Sequence, residues 1–232
     1  MSSVEARKPL LAIDTSTTWA SLALYGEAGV LAELGWTAGR EQTVALLSAL
    51  DQLLGYGGLT GPAELGAVAV ALGPGSFNAL RVGLSTAKGL CFALGLPLLG
   101  VPTLDATAYP HVARGRPVRA VIAAGRERFV SALYRWSEDG PWRAGEYTNT
   151  TFAGLAALIA EPTLLCGELP ASRQHDWPDT AQLAPAALGV RRAASLAELA
   201  WARWRRGECD DPAALEPVYL HSPAPARAAG QG

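Results

Sequence analysis

At 232 residues, half of them hydrophobic and 17% charged, the chain has the composition of a folded protein rather than a disordered one. Its length fits one large domain or two small ones. A formal net charge of −2 and only small arginine clusters argue against a protein that grips nucleic acid alone through a basic patch. No uninterrupted apolar stretch is long enough to span a bilayer, so no membrane partner is expected. The first nine residues, with Glu5, Arg7, Lys8 and Pro9, do not read as a signal peptide. Cys91, Cys166 and Cys209 are far apart and odd in number, which reads as reduced core residues of a cytoplasmic protein.

Leu10 to Ile13 predicts a short apolar strand running into Asp14-Thr15-Ser16-Thr17-Thr18. Trp19 to Tyr25 and Val30 to Trp36 predict two more strands about a Gly26–Gly29 turn, so the three form an antiparallel meander. The Asp14–Thr18 turn sets one carboxylate and four hydroxyls between two strands. Asp14, Thr15, Ser16 and Thr17 could hold a phosphate or its magnesium. The same residue types also favour turns that are satisfied by their own backbone. Residues 39 to 54 predict a helix whose face, Val44, Leu46, Leu47, Leu50, Leu53 and Leu54, is wider than burial against one sheet requires.

The centre of the chain is residues 66 to 104. Ala67 to Leu72 predicts a strand buried on both faces. Gly73-Pro74-Gly75 breaks it as a structural turn, and Ser76 stands where a side-chain N-cap is expected. The helix that follows is predicted over Phe77–Leu94, stopped by Gly95 and Pro97, with a second buried strand at Leu98–Val101. Strand, helix, strand at this spacing is a parallel crossover unit. Ala79, Gly83 and Ala87 recur every four residues as a small-residue stripe beside Leu80, Leu84, Cys91 and Leu94. The stripe admits two readings: close packing on the chain's own sheet, or close approach of a helix from another subunit.

Beyond residue 107 the pattern weakens. Strands are predicted at Val118–Ala123, Phe129–Trp136, Arg143–Thr150 and Leu164–Cys166, and helices at Phe152–Ala160 and Gly189–Arg206. Residues 167 to 187, with three prolines, predict no element, and Ser222 to Gly232 reads as a disordered tail.

Several chemistries are missing. There is no GxxxxGK[ST] loop, and Lys88 lies three helical turns from Gly73-Pro74-Gly75-Ser76. That turn meets a helix N-terminus and could bind an anion, although a purely structural turn fits it better. His111, His175 and His221 stand apart without a metal-binding spacing, and no GxSxG elbow is present. The half after residue 107 shows no adenosine-binding glycine motif.

The stretches LLAIDTSTTWASLALY, GPGSFNALRVGLSTAKGLCFALGLPLLGVPTLDA and, weakly, LEPVYL at 215–220 resemble the TsaB/YeaZ family. Its members are accessory subunits in bacterial tRNA threonylcarbamoyladenosine biosynthesis, within the superfamily of sugar kinases, actin and Hsp70 ATPases. Asn78-Ala79, Gln42-Thr43 and Ala124-Gly125-Arg126 stand where that family more often has Thr-Gly, His-Ser and Asp-Ala-Arg.

The resemblance implies an α/β protein of actin-like, ribonuclease-H-like fold. A mixed five-stranded sheet with helices on both faces spans residues 1–107, a smaller degenerate α/β subdomain spans 108–220, and a tail covers 221–232. It implies a non-catalytic subunit that pairs with a TsaD-type catalytic subunit and works with a TsaE-type ATPase, with possible homodimers when alone. The tRNA would be reached only through the complex, with ATP and a metal ion in the partner subunits and no cofactor in this chain. The face expected to meet the partner comprises Gln42, Leu46, Leu50, Ala79, Gly83 and Ala87. The alternative is an enzyme, either a degenerate sugar-kinase-like ATPase or a glycoprotease-like hydrolase, and it depends on Asp14 positioning magnesium.

Overall fold

The computed structural model describes residues 7–38, 42–112, 116–137 and 140–219; the side chains of 42–44, 137 and 140–142 are not among those described. The tail expected beyond residue 220 lies outside these ranges. The first lobe is a five-stranded sheet in the order β3-β2-β1-β4-β5. β1 (Leu10–Asp14), β2 (Trp19–Gly26) and β3 (Gly29–Thr37) form the predicted antiparallel meander. β4 (Ala67–Ala71) and β5 (Leu98–Val101) add in parallel beside β1. Between them run α1 (Gln42–Tyr56) and α2 (Phe77–Leu94), the latter with the bounds its sequence predicts. Gly95 ends α2 in the left-handed conformation (φ 66°), its N–H donating to the Cys91 carbonyl, a geometry glycine adopts without steric cost.

The sequence AVAVA of β4 sorts the two faces of the sheet, because alternate side chains point to opposite sides. Val68 and Val70 join Leu11 and Ile13 in one core with α1 and α2. Ala67, Ala69 and Ala71 face the other way, onto Ala193, Ala197, Ala200 and Trp201 of α5 (Ala193–Arg205). Alanine against alanine lets this last helix lie close on the first sheet although it follows the second sheet in sequence.

The second sheet has six strands: β6 (Val118–Ala123), β7 (Arg128–Ser137), β8 (Gly140–Arg143), β9 (Thr148–Thr151), β10 (Thr163–Gly167) and β11 (Ala181–Leu183). Their order is β11-β10-β6-β7-β8, with β9 also on β7. α3 (Thr103–Ala108) covers one face, and α4 (Phe152–Ala157) packs against β7 and β9. Two mixed sheets flanked by helices are the fold class that the resemblance implies.

Several boundaries differ from expectation. The single strand expected at 143–150 is two strands, because Gly145 turns the backbone at φ 124° between them. α5 begins at Ala193 rather than Gly189, after a 3-10 turn over Ala186–Leu188. Residues 167–187, left without an element, hold β11 and a 3-10 turn at Ala171–Arg173. α3 was not anticipated. Cys91 and Cys166 are buried as expected, but Cys209 is exposed.

Candidate functional site: the cleft between the two sheets

The Asp14–Thr18 turn is buried, with Asp14 and Ser16 fully inaccessible. One carboxylate oxygen of Asp14 accepts from the Ser16 amide at 2.9 Å and the Ser16 hydroxyl at 2.5 Å. The other accepts from Nε of Arg191 at 2.5 Å. Nη2 of the same guanidinium donates to the Thr17 hydroxyl at 3.0 Å, and the Thr15 hydroxyl donates to the Ala79 carbonyl at 2.6 Å. Asp14, Thr15, Ser16 and Thr17 therefore spend their polar groups inside the protein, as the turn reading requires. The partner that completes them is a cation rather than backbone alone. No local signal points to Arg191, which lies 177 residues from Asp14 in sequence.

The Gly73-Pro74-Gly75-Ser76 turn docks directly on this one. The Ser76 amide donates to the Ser16 carbonyl at 2.7 Å. A side chain on Gly75 would run into that same carbonyl, which explains glycine here. Gly73, at φ 103°, exchanges two hydrogen bonds with buried Thr103, at 2.9 and 2.8 Å. Ser76 occupies the N-cap position, but its hydroxyl makes no capping bond. The expectation of a side-chain cap is corrected: the residue is fixed by its own backbone contacts instead. The first strand, the first turn of α2 and the start of α3 thus meet at one end of the first sheet.

Opposite them stands the second sheet, and between the two lies a cleft of about 640 Å³ lined by Thr18, Ser76, Phe77, Arg128, Glu168 and Tyr219 among others. Arg128 is engaged by Asn149 through both its side chain and its carbonyl. The Tyr219 ring packs at a tilt against Phe77, and the Arg81 guanidinium lies over the Phe77 ring, 3.9 Å from its centroid. Glu168 lies 3.7 Å from Nη1 of Arg191 and accepts from the Ala123 amide at 3.1 Å. A second cavity, about 400 Å³, is lined by Arg191, Glu168, Trp19, Gly167 and Leu183 among others. Thr18 and Glu168 line both spaces, and Arg191 lines the second. Among the described residues no group of three or more histidine, cysteine or acidic side chains is placed to hold a metal ion. No described helix is long and apolar enough to cross a membrane.

The proposed partner face is corrected. Ala79, Gly83 and Ala87 are buried in this chain's own core, and a side chain on Gly83 would meet Thr15 and Ile13 of the first sheet. Leu46 and Leu50 are buried as well; the Gln42 side chain lies outside the described residues. The stripe takes the own-sheet reading because β1 and its turn need to approach the α2 backbone closely. What α1 and α2 leave exposed is a different set, Leu47, Tyr56, Phe77 and Phe92, the last 94% accessible.

Residues 22–140 match the family model described as "TsaD: tRNA N6-adenosine threonylcarbamoyltransferase". The chain is 34% identical over 139 residues to the tRNA threonylcarbamoyladenosine biosynthesis protein TsaB of Escherichia coli, the match covering 59% of each chain. It is 42% identical over 132 residues to that of Haemophilus influenzae, covering 54% of each. The matched part thus spans little more than half the length of these curated relatives. A crystal structure from Pseudomonas aeruginosa, described as an uncharacterized protein with similarity to peptidase YEAZ, superposes with a TM-score of 0.78 at 28% identity. That superposition covers 92% of this chain and all of the other.

Proposed function

The chain belongs to the TsaB/YeaZ family, within the broader group that the threonylcarbamoyltransferase family model covers, and on that premise we propose that it is a non-catalytic scaffold subunit for tRNA threonylcarbamoyladenosine formation. In this reading it pairs in the cytoplasm with a TsaD-type catalytic subunit and works with a TsaE-type ATPase. The assembly transfers a threonylcarbamoyl group to the adenosine beside the anticodon, while ATP and the metal ion reside in the partners. The observation that carries the proposal is the state of Asp14. The one carboxylate at the turn where an ATPase of this fold would position magnesium is buried and bonded to Arg191. A carboxylate so engaged is not available to a dissociable metal without breaking a buried ion pair.

The partner surface is redrawn on the large apolar side chains that α1 and α2 leave exposed, Leu47, Tyr56 and Phe92. Large exposed apolar side chains at such a place are suited to burial against another subunit. Reconstitution tests the proposal. The complex with its partner subunits is expected to modify tRNA, and this chain alone is not. Steady threonylcarbamoylation by the chain without a partner would contradict it.

A further inference from the structure

Arg191 does more than neutralise Asp14. Its three guanidinium nitrogens go to three different groups: Nε to Asp14, Nη2 to Thr17 and Nη1 toward Glu168. The first two belong to the turn of the first sheet. Glu168 follows β10 of the second sheet, its amide donating to the Val121 carbonyl at 2.8 Å and its other carboxylate oxygen accepting from Ala123. A continuous polar path therefore runs from β1 through one guanidinium to β6. The backbone of Arg191 is itself held, its carbonyl accepting from Ser21 of β2 at 3.5 Å, and its side chain is 2% accessible.

We propose that Arg191 is an interlobe clamp: a built-in cation that fixes the two sheets in one relative setting and occupies the place a dissociable cation would take at Asp14. The geometry suits arginine because a planar fork presents donors in several fixed directions at once. A lysine has one nitrogen on a flexible stem and cannot span Asp14 and Glu168 together. Arg191 is thus a positioning residue, acting on the shape of the molecule. The proposal stands independently of the scaffold reading, since an enzyme with the same clamp would be held equally rigid.

Two measurements on the full chain test it. Spin labels at Gln52→Cys on α1 and Ala157→Cys on α4, both exposed positions, with Cys209→Ser as background, report the distance between the lobes by pulsed electron resonance. One narrow distribution is expected for the otherwise unchanged chain. Glu168→Ala, which cuts the path on the second lobe, and Arg191→Lys, which keeps Asp14 paired, should each broaden or shift it. A buried ion pair with only local structural value would leave the distribution alone. An unchanged narrow distribution in both folded variants overturns the clamp. Titration with manganese(II) alone tests the second half. The wild-type chain and Asp14→Asn should give the same weak, unsaturable response. Saturable binding in the wild type that Asp14→Asn abolishes would show that Asp14 serves a dissociable metal, and would overturn the assignment of Arg191 as its resident cation.

Discussion

Two arginines are buried almost equally, Arg191 at 5% and Arg119 at 7% accessibility, one beside the first sheet and one within the second. Arg191 meets a carboxylate, a hydroxyl and a second carboxylate. Arg119, on β6, gives one hydrogen bond to the Ser131 hydroxyl at 3.2 Å, and its Nε has no partner. Burial lowers the pKa of Arg119 by penalising its charged form. The difference separates a buried charge that organises its surroundings from one that is merely carried by them. An ion removed from water costs free energy that only well-placed partners offset.

Breaking the first site should cost most. Arg191→Met leaves Asp14 buried without its counter-ion and is expected to destabilise the fold by about 3–5 kcal/mol. At this chain length each kcal/mol lowers Tm by roughly 2–4 °C, and Asp14→Asn in the same chain should recover much of the loss. Additive losses in that double variant, measured by denaturant unfolding, would mean the two residues do not act as a pair. Gly83→Leu comes next. It forces volume between α2 and the Asp14–Thr18 turn, where Thr15 already occupies the space, and overpacking of this kind typically costs about 1–3 kcal/mol. The loss should appear in the unfolding of the isolated chain, because the stripe faces inward. A melting temperature unchanged from wild type would return Gly83 to an outer surface.

The opposite sign is expected at the second arginine. Arg119→Met replaces a buried cation that has no carboxylate partner among the described residues with an apolar side chain of similar length, and stability should be unchanged or higher by roughly 1 kcal/mol. A loss as large as that of Arg191→Met would contradict the contrast. The smallest effect is pH-dependent. Burial raises the carboxyl of Asp105, against the lowering action of the Tyr134 hydroxyl, which donates to it at 2.7 Å, and of Arg143. With a folded-state pKa above the unfolded one, this residue favours the fold below the ordinary aspartate range near pH 4 and loses that contribution as pH rises through its raised pKa. Asp105→Asn keeps an acceptor for Tyr134, so it should be more stable than wild type at neutral pH, with the advantage shrinking in acid. A stability difference independent of pH would assign the effect to packing alone.

The contrast also marks what sequence can and cannot disclose. The meander, the crossover and the bounds of α2 were legible because their signals are local: apolar runs, and glycine and proline at the ends. Residues 143–150 were misjudged because a single glycine at positive φ divides two strands that both pair with β7. α3, six residues long, is too short to show a period. At the site, the turn residues Asp14 to Thr17 and the Gly73–Ser76 turn were found, but their mutual docking was not. Arg191 was invisible because the partnership exists only after α5 folds back onto the first sheet. The small stripe of α2 was recognised, yet its direction depends on where Thr15 comes to rest, which spacing within one helix does not encode.

The central claim is that Asp14, at the turn beside the cleft, is held by a fixed internal cation, and that the site contributes shape rather than chemistry. Calorimetric titration of the full-length chain with magnesium ATP tests it most directly. The account predicts no saturable heat, and no difference between wild type and Asp14→Asn in a chain that remains folded. Saturable, magnesium-dependent binding that disappears in Asp14→Asn would contradict it.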